Sequence, residues 1–192
     1  MQNPVIHITN TDIISDKWAV LKQITFEYET ETEKQTHTRQ VYDRGNGAVI
    51  LLYNTTRKTV LLIKQFRLPS YLNNNETGML IEACAGVLEE ESPEACIRRE
   101  TEEETGYQIT EIRKIFEAYT SPGVLTEIIH FFVGEYNAEM KVSDGGGLKE
   151  EQENIEVIEL PFAEAYNMMA TGEIKDAKTI MLLQYAKINL SF

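Results

Sequence analysis

Two strand-like runs, Ala48 to Tyr53 and Thr59 to Arg67, the second built on the apolar stretch Val60 to Ile63, lie on either side of the polar stretch Asn54-Thr55-Thr56-Arg57. Short runs of this kind bounded by turn residues predict a hairpin with one or both faces buried, and a sheet buried in that way needs layers to cover it. The later chain offers such layers: Pro93 to Thr105, Pro161 to Ala170 and Asp176 to Lys187 carry helix-like patterning. Further strand-like segments are Met79 to Cys84, Tyr107 to Tyr119, Glu127 to Tyr136 and Ile155 to Leu160. The strands come in groups and do not alternate strictly with helices. The expected class is therefore α/β, with a mixed sheet sandwiched by helices in preference to a doubly wound parallel sheet. Ahead of this region, Trp18 to Thr30 and Thr36 to Tyr42 read as antiparallel strands, and Asp43-Arg44-Gly45-Asn46-Gly47 as a turn. That division predicts an N-terminal strand region over residues 1–42 and a main domain over 43–192.

A hydrophobic content of 42% in 192 residues is enough for a substantial core. The 31 acidic residues against 18 basic ones leave a formal charge of -13, a field that repels nucleic acid and anionic membranes. An anionic ligand would need a bound cation or a focused arginine site. No apolar stretch approaches the roughly 18 residues that cross a bilayer, and the first residues lack a signal-like pattern. Cys84 and Cys96 read as reduced packing residues, so a cytoplasmic protein is expected.

The most informative segment is the helix over Pro93 to Thr105. Ser92 is a good N-cap, Pro93 suits the first helical position and Gly106 is placed to end the helix. Glu100, Glu103 and Glu104 then share one face, while Glu102 points elsewhere. Like charges at this spacing cost an isolated helix roughly 0.2–0.5 kcal/mol per pair, so the face is either a solvated acidic surface or a cation site. Mg²⁺ prefers oxygen ligands and commonly joins one or two carboxylates to substrate phosphates. Arg99 with Glu103 and Arg98 with Glu102 offer i,i+4 ion pairs.

Residues 85 to 107 read AGVLEEESPEACIRRETEEETGY. This resembles the Nudix signature G-x5-E-x7-R-E-U-x-E-E-x-G-U, where U is a bulky aliphatic. The spacing agrees from Glu91 through Arg99-Glu100, Glu103-Glu104 and Gly106. Two positions depart: four residues separate Gly86 from Glu91 where the signature has five, and Thr101 replaces an aliphatic.

The resemblance implies an α/β/α sandwich binding Mg²⁺, or Mn²⁺ in its place, through Glu100, Glu104, Glu103 and the carbonyl of Ala85. Segments outside the signature resemble the branch of the family that contains ADP-ribose and GDP-mannose pyrophosphatases. These are Val41 to Gly47, Gln65-Phe66-Arg67, Glu82 to Gly86, Ser121-Pro122-Gly123 with Glu127, and Thr171 to Ile174 with Lys178-Thr179. Length and arrangement look most like the enzymes that split GDP-mannose into GMP and mannose 1-phosphate. The alternatives are a broader nucleotide-sugar or ADP-ribose pyrophosphatase and a Nudix module that binds nucleotides without cleaving them.

By the same resemblance, Trp18, Thr38, Arg39, Gln40, Arg67, Ala85, Gly86, Val87, Glu104, Glu127, Gln152 and Lys178 are expected to contact the nucleotide-sugar substrate. Plainer readings stand beside them: Trp18 as core, Arg39 in a cross-strand ion pair, Arg67 as a solvated strand end and Lys178 as an exposed helix residue. The carboxylate-rich loop from Gly147 to Asn154 resembles a mobile segment that supplies Glu153 to the metal, and it could equally be a solvated loop. Water is expected to be activated by Glu127 or Glu151, with Glu103 an electrostatic partner. The N-terminal strands of related enzymes exchange between subunits, which implies a homodimer.

Overall fold

The computed structural model describes residues 3–148, 150 and 152–191, which form two compact units. The first takes the described part of Met1–Asn46 with Tyr119–Ile128, and the second takes the described part of Gly47–Ala118 with Ile129–Phe192.

In the first unit β1 (Val5–Asp16), β2 (Val20–Glu29) and β3 (Lys34–Asp43) form an antiparallel sheet in that order. Strand β1 was not expected from the sequence. Its register slips between Ile8 and Asn10 and again between Ile13 and Ser15, and such irregularities erase the period-two pattern by which a strand is recognised. The segment Tyr119–Ile128 is tied to the end of β3, because the Tyr42 N–H donates to the Val124 carbonyl at 2.8 Å and the Thr126 N–H to the Tyr42 carbonyl at 3.2 Å.

The sheet of the second unit contains β4 (Gly47–Asn54), β5 (Thr59–Phe66), β8 (Ile112–Tyr119), β9 (Ile128–Glu135) and β10 (Glu156–Pro161) in the order β10-β5-β4-β9-β8. Two short strands extend it: β6 (Met79–Glu82) pairs with β5 and β7 (Cys84–Val87) with β4. Pairing of β4 with β9 is parallel, while β4 with β5 and β5 with β10 are antiparallel, so the sheet is mixed as expected.

Alternation along the central strands explains the layers. Val49 and Leu51 of β4, Val60 and Leu62 of β5, and Phe131 and Val133 of β9 cluster with Phe162, Ala165, Leu182, Leu183 and Ala186. These last come from α3 (Phe162–Thr171) and α4 (Ala177–Asn189). The intervening residues Ala48, Ile50, Leu52, Leu61 and Phe132 cluster with Cys96 and Ile97 of α2 (Pro93–Thr105). Successive side chains on a strand point to opposite faces, so runs that are apolar throughout cover both. The result is an α/β/α sandwich. A five-residue helix, α1 (Leu68–Leu72), follows β5 and was also unforeseen.

Most strand limits shift by one or two residues from the sequence reading, and two strands need a larger correction. Met79 to Cys84 is broken at Ala83, whose N–H donates to the Thr179 hydroxyl at 2.7 Å while the chain moves from β5 to β4. Strand β8 starts at Ile112; Tyr107 makes only a single bridge, to Lys141, and packs edge-on against Tyr136 at 5.2 Å. Among the described residues no helix is long and apolar enough to cross a membrane.

Phe131 is fully buried and packs against Phe116 with ring centroids 4.6 Å apart. Phe131→Ala is expected to lower unfolding free energy by about 3–5 kcal/mol, read from denaturant melts. A loss under about 1 kcal/mol would show that this face of the sheet is not a close-packed core.

Candidate active site

Helix α2 begins and ends where local chemistry directs. The Ser92 hydroxyl accepts from the Ala95 N–H at 3.2 Å, Pro93 occupies the first turn, and Gly106 adopts φ 78° at the C-terminus. Positive φ is available to Gly106 without a Cβ penalty, and an added Cβ there would meet the Ser143 carbonyl oxygen at 2.2 Å.

The glycine-rich loop after residue 142 satisfies the carbonyls at this helix end. Gly146 donates to Glu104 O at 2.9 Å and Gly147 to Glu103 O at 3.1 Å, while Val142 and Ser143 donate to Gly106 O. All three glycines, Gly145, Gly146 and Gly147, have positive φ, so the segment is a shaped clasp. The chain then returns through Glu153, whose carboxylate accepts from the Leu148 N–H at 3.0 Å.

This arrangement gathers negative charge. Glu104 is only 2% exposed and accepts from the Ala85 N–H at 3.2 Å. Burial raises its pKa to about 8; the charges of Glu100 and Glu153 push the same way, against the Cys84 thiol and the Ala85 N–H. Glu100 is raised to about 7, again first by burial, with Arg99 opposing and Glu103 and Glu153 adding to the rise. Arg99 binds Glu91 at 2.7 Å, Glu100 at 3.0 Å and Glu103 at 2.8 Å, holding three carboxylates with one guanidinium.

Gly86 completes the cradle. A Cβ there would sit 2.2 Å from the Glu100 carboxyl carbon, so that carboxyl lies directly over bare backbone. Among the described residues no three His, Cys, Asp or Glu side chains are drawn close enough to cage an ion as they stand. Each acid is turned to an internal partner: Glu100 to Arg99, Glu104 to Ala85 N–H and Glu153 to Leu148 N–H. The donor set is all oxygen and carries four carboxylates against the one guanidinium of Arg99, which fits a hard divalent cation.

The other expected site residues fall into two groups. In the second unit, the Arg67 Nε donates to the buried Glu82 at 2.8 Å, and Lys178 Nζ lies 2.6 Å from Asp176 and 3.8 Å from Glu82. Val87 is exposed at the end of β7, and Gln152 has φ 60°. In the first unit, Glu127 is buried, with one carboxylate oxygen 2.7 Å from Arg44 and the other accepting from Thr120 at 3.0 Å. Trp18 is 74% exposed rather than core, and the Arg44 guanidinium sits 5.7 Å from its ring centre. Thr38 shares a hydroxyl contact with Thr25, and Gln40 is opposite Gln23 across β2 and β3. Glu151 lies outside the described residues.

Two ion-pair expectations are corrected. Arg98 does not bind Glu102; it donates to the carbonyls of Ile109 and Thr110, whose fixed backbone acceptors outcompete an exposed carboxylate, and Glu102 accepts from Gln108 at 3.3 Å. Arg39 donates to the Thr38 carbonyl at 2.9 Å and contacts His37, in place of a cross-strand acid. Ile24 is the residue opposite it, which explains why.

The Nudix domain matches residues 43–183, and the GDP-mannose pyrophosphatase NudK N-terminal domain matches residues 5–42. The chain belongs to the Nudix family. It is 57% identical over 180 residues to a GDP-mannose pyrophosphatase of Yersinia enterocolitica, covering 93% of each chain. A GDP-mannose pyrophosphatase of Escherichia coli O9:H4 is 52% identical over 181 residues, 94% of each. One from Yersinia pestis strain Pestoides F is 55% identical over 179 residues, 93% of this chain and 89% of that one. This Nudix protein is thus an enzyme, and Nudix hydrolases generally need divalent cations.

The departure at Thr101 is accommodated within the Nudix helix: the residue is fully buried and its hydroxyl donates to the Ile97 carbonyl at 2.6 Å. Sequence reasoning missed Glu82, Asp176 and Arg44 as partners of the expected site residues. Glu82, an acid closing an otherwise apolar strand, carried the one readable signal, because a buried carboxylate requires a partner.

Gly86→Ala is expected to displace the Glu100 carboxyl and weaken divalent-cation activation roughly 10–100-fold, as loss of ligand orientation typically does. The check is the cation concentration giving half-maximal activity, with circular dichroism showing the fold retained. An unchanged cation requirement would remove Glu100 from the site.

Proposed function

We propose that this Nudix enzyme hydrolyses the diphosphate bridge of GDP-mannose to GMP and mannose 1-phosphate, using Mg²⁺ or, in its place, Mn²⁺. The observation that carries the substrate is the 52–57% identity, across nearly the whole chain, to relatives named GDP-mannose pyrophosphatase. The gathering of Glu100, Glu103, Glu104 and Glu153 supports the reaction class.

In this reading Glu100, Glu104, Glu153 and the Ala85 carbonyl hold the cation, and Glu103 acts with them electrostatically through its pair with Arg99. When bound, the cation neutralises diphosphate oxygens and acidifies a coordinated water. Arg67 and Lys178 bind the diphosphate, Trp18 contacts the base, and Thr38, Arg39, Gln40, Gly86, Val87 and Gln152 contribute further substrate contacts. Glu127 or Glu151 takes the proton from the attacking water. For Glu127, Arg44 and Thr120 orient the carboxylate, and each oxygen has two lone pairs, so an acceptor site remains on each. The N-terminal region, residues 1–42, is proposed to mediate a homodimer, with residues 43–192 as the hydrolase domain. A cytoplasmic setting suits a protein whose two cysteines are free and buried.

The test is product analysis with GDP-mannose, ADP-ribose and a UDP-sugar, with Mg²⁺ and again with excess chelator. GDP-mannose is expected to give the highest kcat/KM, with GMP and mannose 1-phosphate as products and chelation abolishing turnover. Preference for ADP-ribose would overturn the substrate, and chelator-resistant turnover the metal.

A further inference from the structure

Glu82 stands at the end of β6 and is only 4% exposed. Its two carboxylate oxygens face two different cations: Oε2 accepts from Arg67 Nε at 2.8 Å, and Oε1 lies 3.8 Å from Lys178 Nζ. Arg67 follows β5 and Lys178 opens α4, so one buried acid joins two elements that no helix or strand hydrogen bond connects. Lys178 is held from its other side by Asp176 at 2.6 Å, and Asp176 is itself fixed as the N-cap of α4 by Thr179.

The nitrogen chosen on Arg67 matters. Nε is committed to Glu82, and no partner for Nη1 or Nη2 is found among the described residues, with the side chain 42% exposed. A guanidinium anchored through Nε leaves its outer nitrogens free to take a phosphate.

The same short segment is pinned to the carboxylate site. Next to Glu82, Ala83 N–H binds Thr179; Ala85 N–H binds Glu104; and Gly86 lies beneath Glu100. Five consecutive residues therefore set the cation pair at a constant offset from the acids of α2.

We propose that Glu82 is a positioning residue that locks Arg67 and Lys178 into a two-pronged diphosphate clamp. The proposal rests on the reading above that these two cations bind the substrate. Charge alone makes the opposite forecast. A carboxylate beside two cations weakens their attraction for an anion, so a Glu82 that only neutralised them would give tighter substrate binding when its charge is removed. A positioner gives weaker binding, because a glutamine whose oxygen keeps the Arg67 hydrogen bond turns its NH2 toward Lys178 and loses the carboxylate charge that faces that ammonium at 3.8 Å.

The experiment measures KM, kcat and the Mg²⁺ concentration for half-maximal activity in Glu82→Gln, Glu82→Asp, Arg67→Ala, Lys178→Ala and the Glu82→Gln, Arg67→Ala double variant. Thermal melts run beside it. Glu82→Gln is expected to raise KM on the order of tenfold, the scale on which losing a supporting partner weakens a bound group, with kcat and the Mg²⁺ requirement nearly unchanged. Glu82→Asp keeps the charge but shortens the reach, so it should raise KM as well, and it carries the test if Glu82→Gln does not fold. In the Arg67→Ala background the Glu82→Gln effect should shrink markedly. If Arg67→Ala and Lys178→Ala raise KM while the Glu82 variants leave it unchanged or lower it, Glu82 is not a positioner and the clamp stands without it. If neither cation variant changes KM, the substrate-contact reading itself falls.

Discussion

Crowded, buried carboxylates are the constraint around which the second unit is organised. Glu104 is buried beneath the sheet's β7 edge and Glu100 lies over Gly86; burial raises the pKa of both, with Glu153 adding to each and Glu100 adding to Glu104. A carboxyl whose folded pKa is raised destabilises the folded chain once pH passes its unfolded value, since ionisation is then easier in the unfolded state. Each pKa unit is worth about 1.4 kcal/mol, so the penalty near neutral pH is on the order of a few kcal/mol, a sizeable share of ordinary stability. A fold does not keep such an arrangement for packing. A cation reverses the sign of the interaction, and that reversal is the physical basis for reading the helix as a catalytic face.

The surrounding backbone explains how the acids are kept together despite repulsion. The glycine clasp takes the last carbonyls of α2, and Ala85 holds Glu104 from the opposite side. Both supports are main-chain groups, whose positions depend on the sheet and helix and not on flexible side chains. Arg99 works through a side chain, and it spans Glu91, Glu100 and Glu103. The break at Ala83 belongs to the same economy: by leaving β5, the chain frees one N–H for Thr179 and brings the next residues against α2.

What the sequence disclosed follows from how local each signal is. Helix α2 was readable to its ends because Ser92, Pro93 and Gly106 act within one turn of the helix. Strands β4 and β5 were readable because each carries an unbroken apolar stretch, Ala48 to Tyr53 and Val60 to Ile63, that is buried on both faces almost throughout. Strand β1 was not, since it is exposed almost throughout and its irregular register removes any alternation. Long-range partners were hidden as well. Nothing near Arg98 announces the carbonyl of Ile109 as an acceptor, and the Glu82 to Lys178 approach joins residues from opposite ends of the domain. The Arg44 to Glu127 pair is hidden in the same way, since its partners stand more than 80 residues apart in the chain.

The most direct test compares melting of the unaltered protein and Glu104→Gln with and without saturating Mg²⁺, no substrate present. A cation that binds only the folded chain stabilises it, by roughly 2.7 kcal/mol at a hundredfold excess over its Kd. The unaltered protein should therefore melt several degrees higher with Mg²⁺. Glu104→Gln, relieved of a buried charge, should melt no lower than the unaltered protein when the ion is absent, and should gain little when it is added. An unaltered protein insensitive to Mg²⁺, or a variant that keeps the full shift, would contradict a cation site built on the acids of α2.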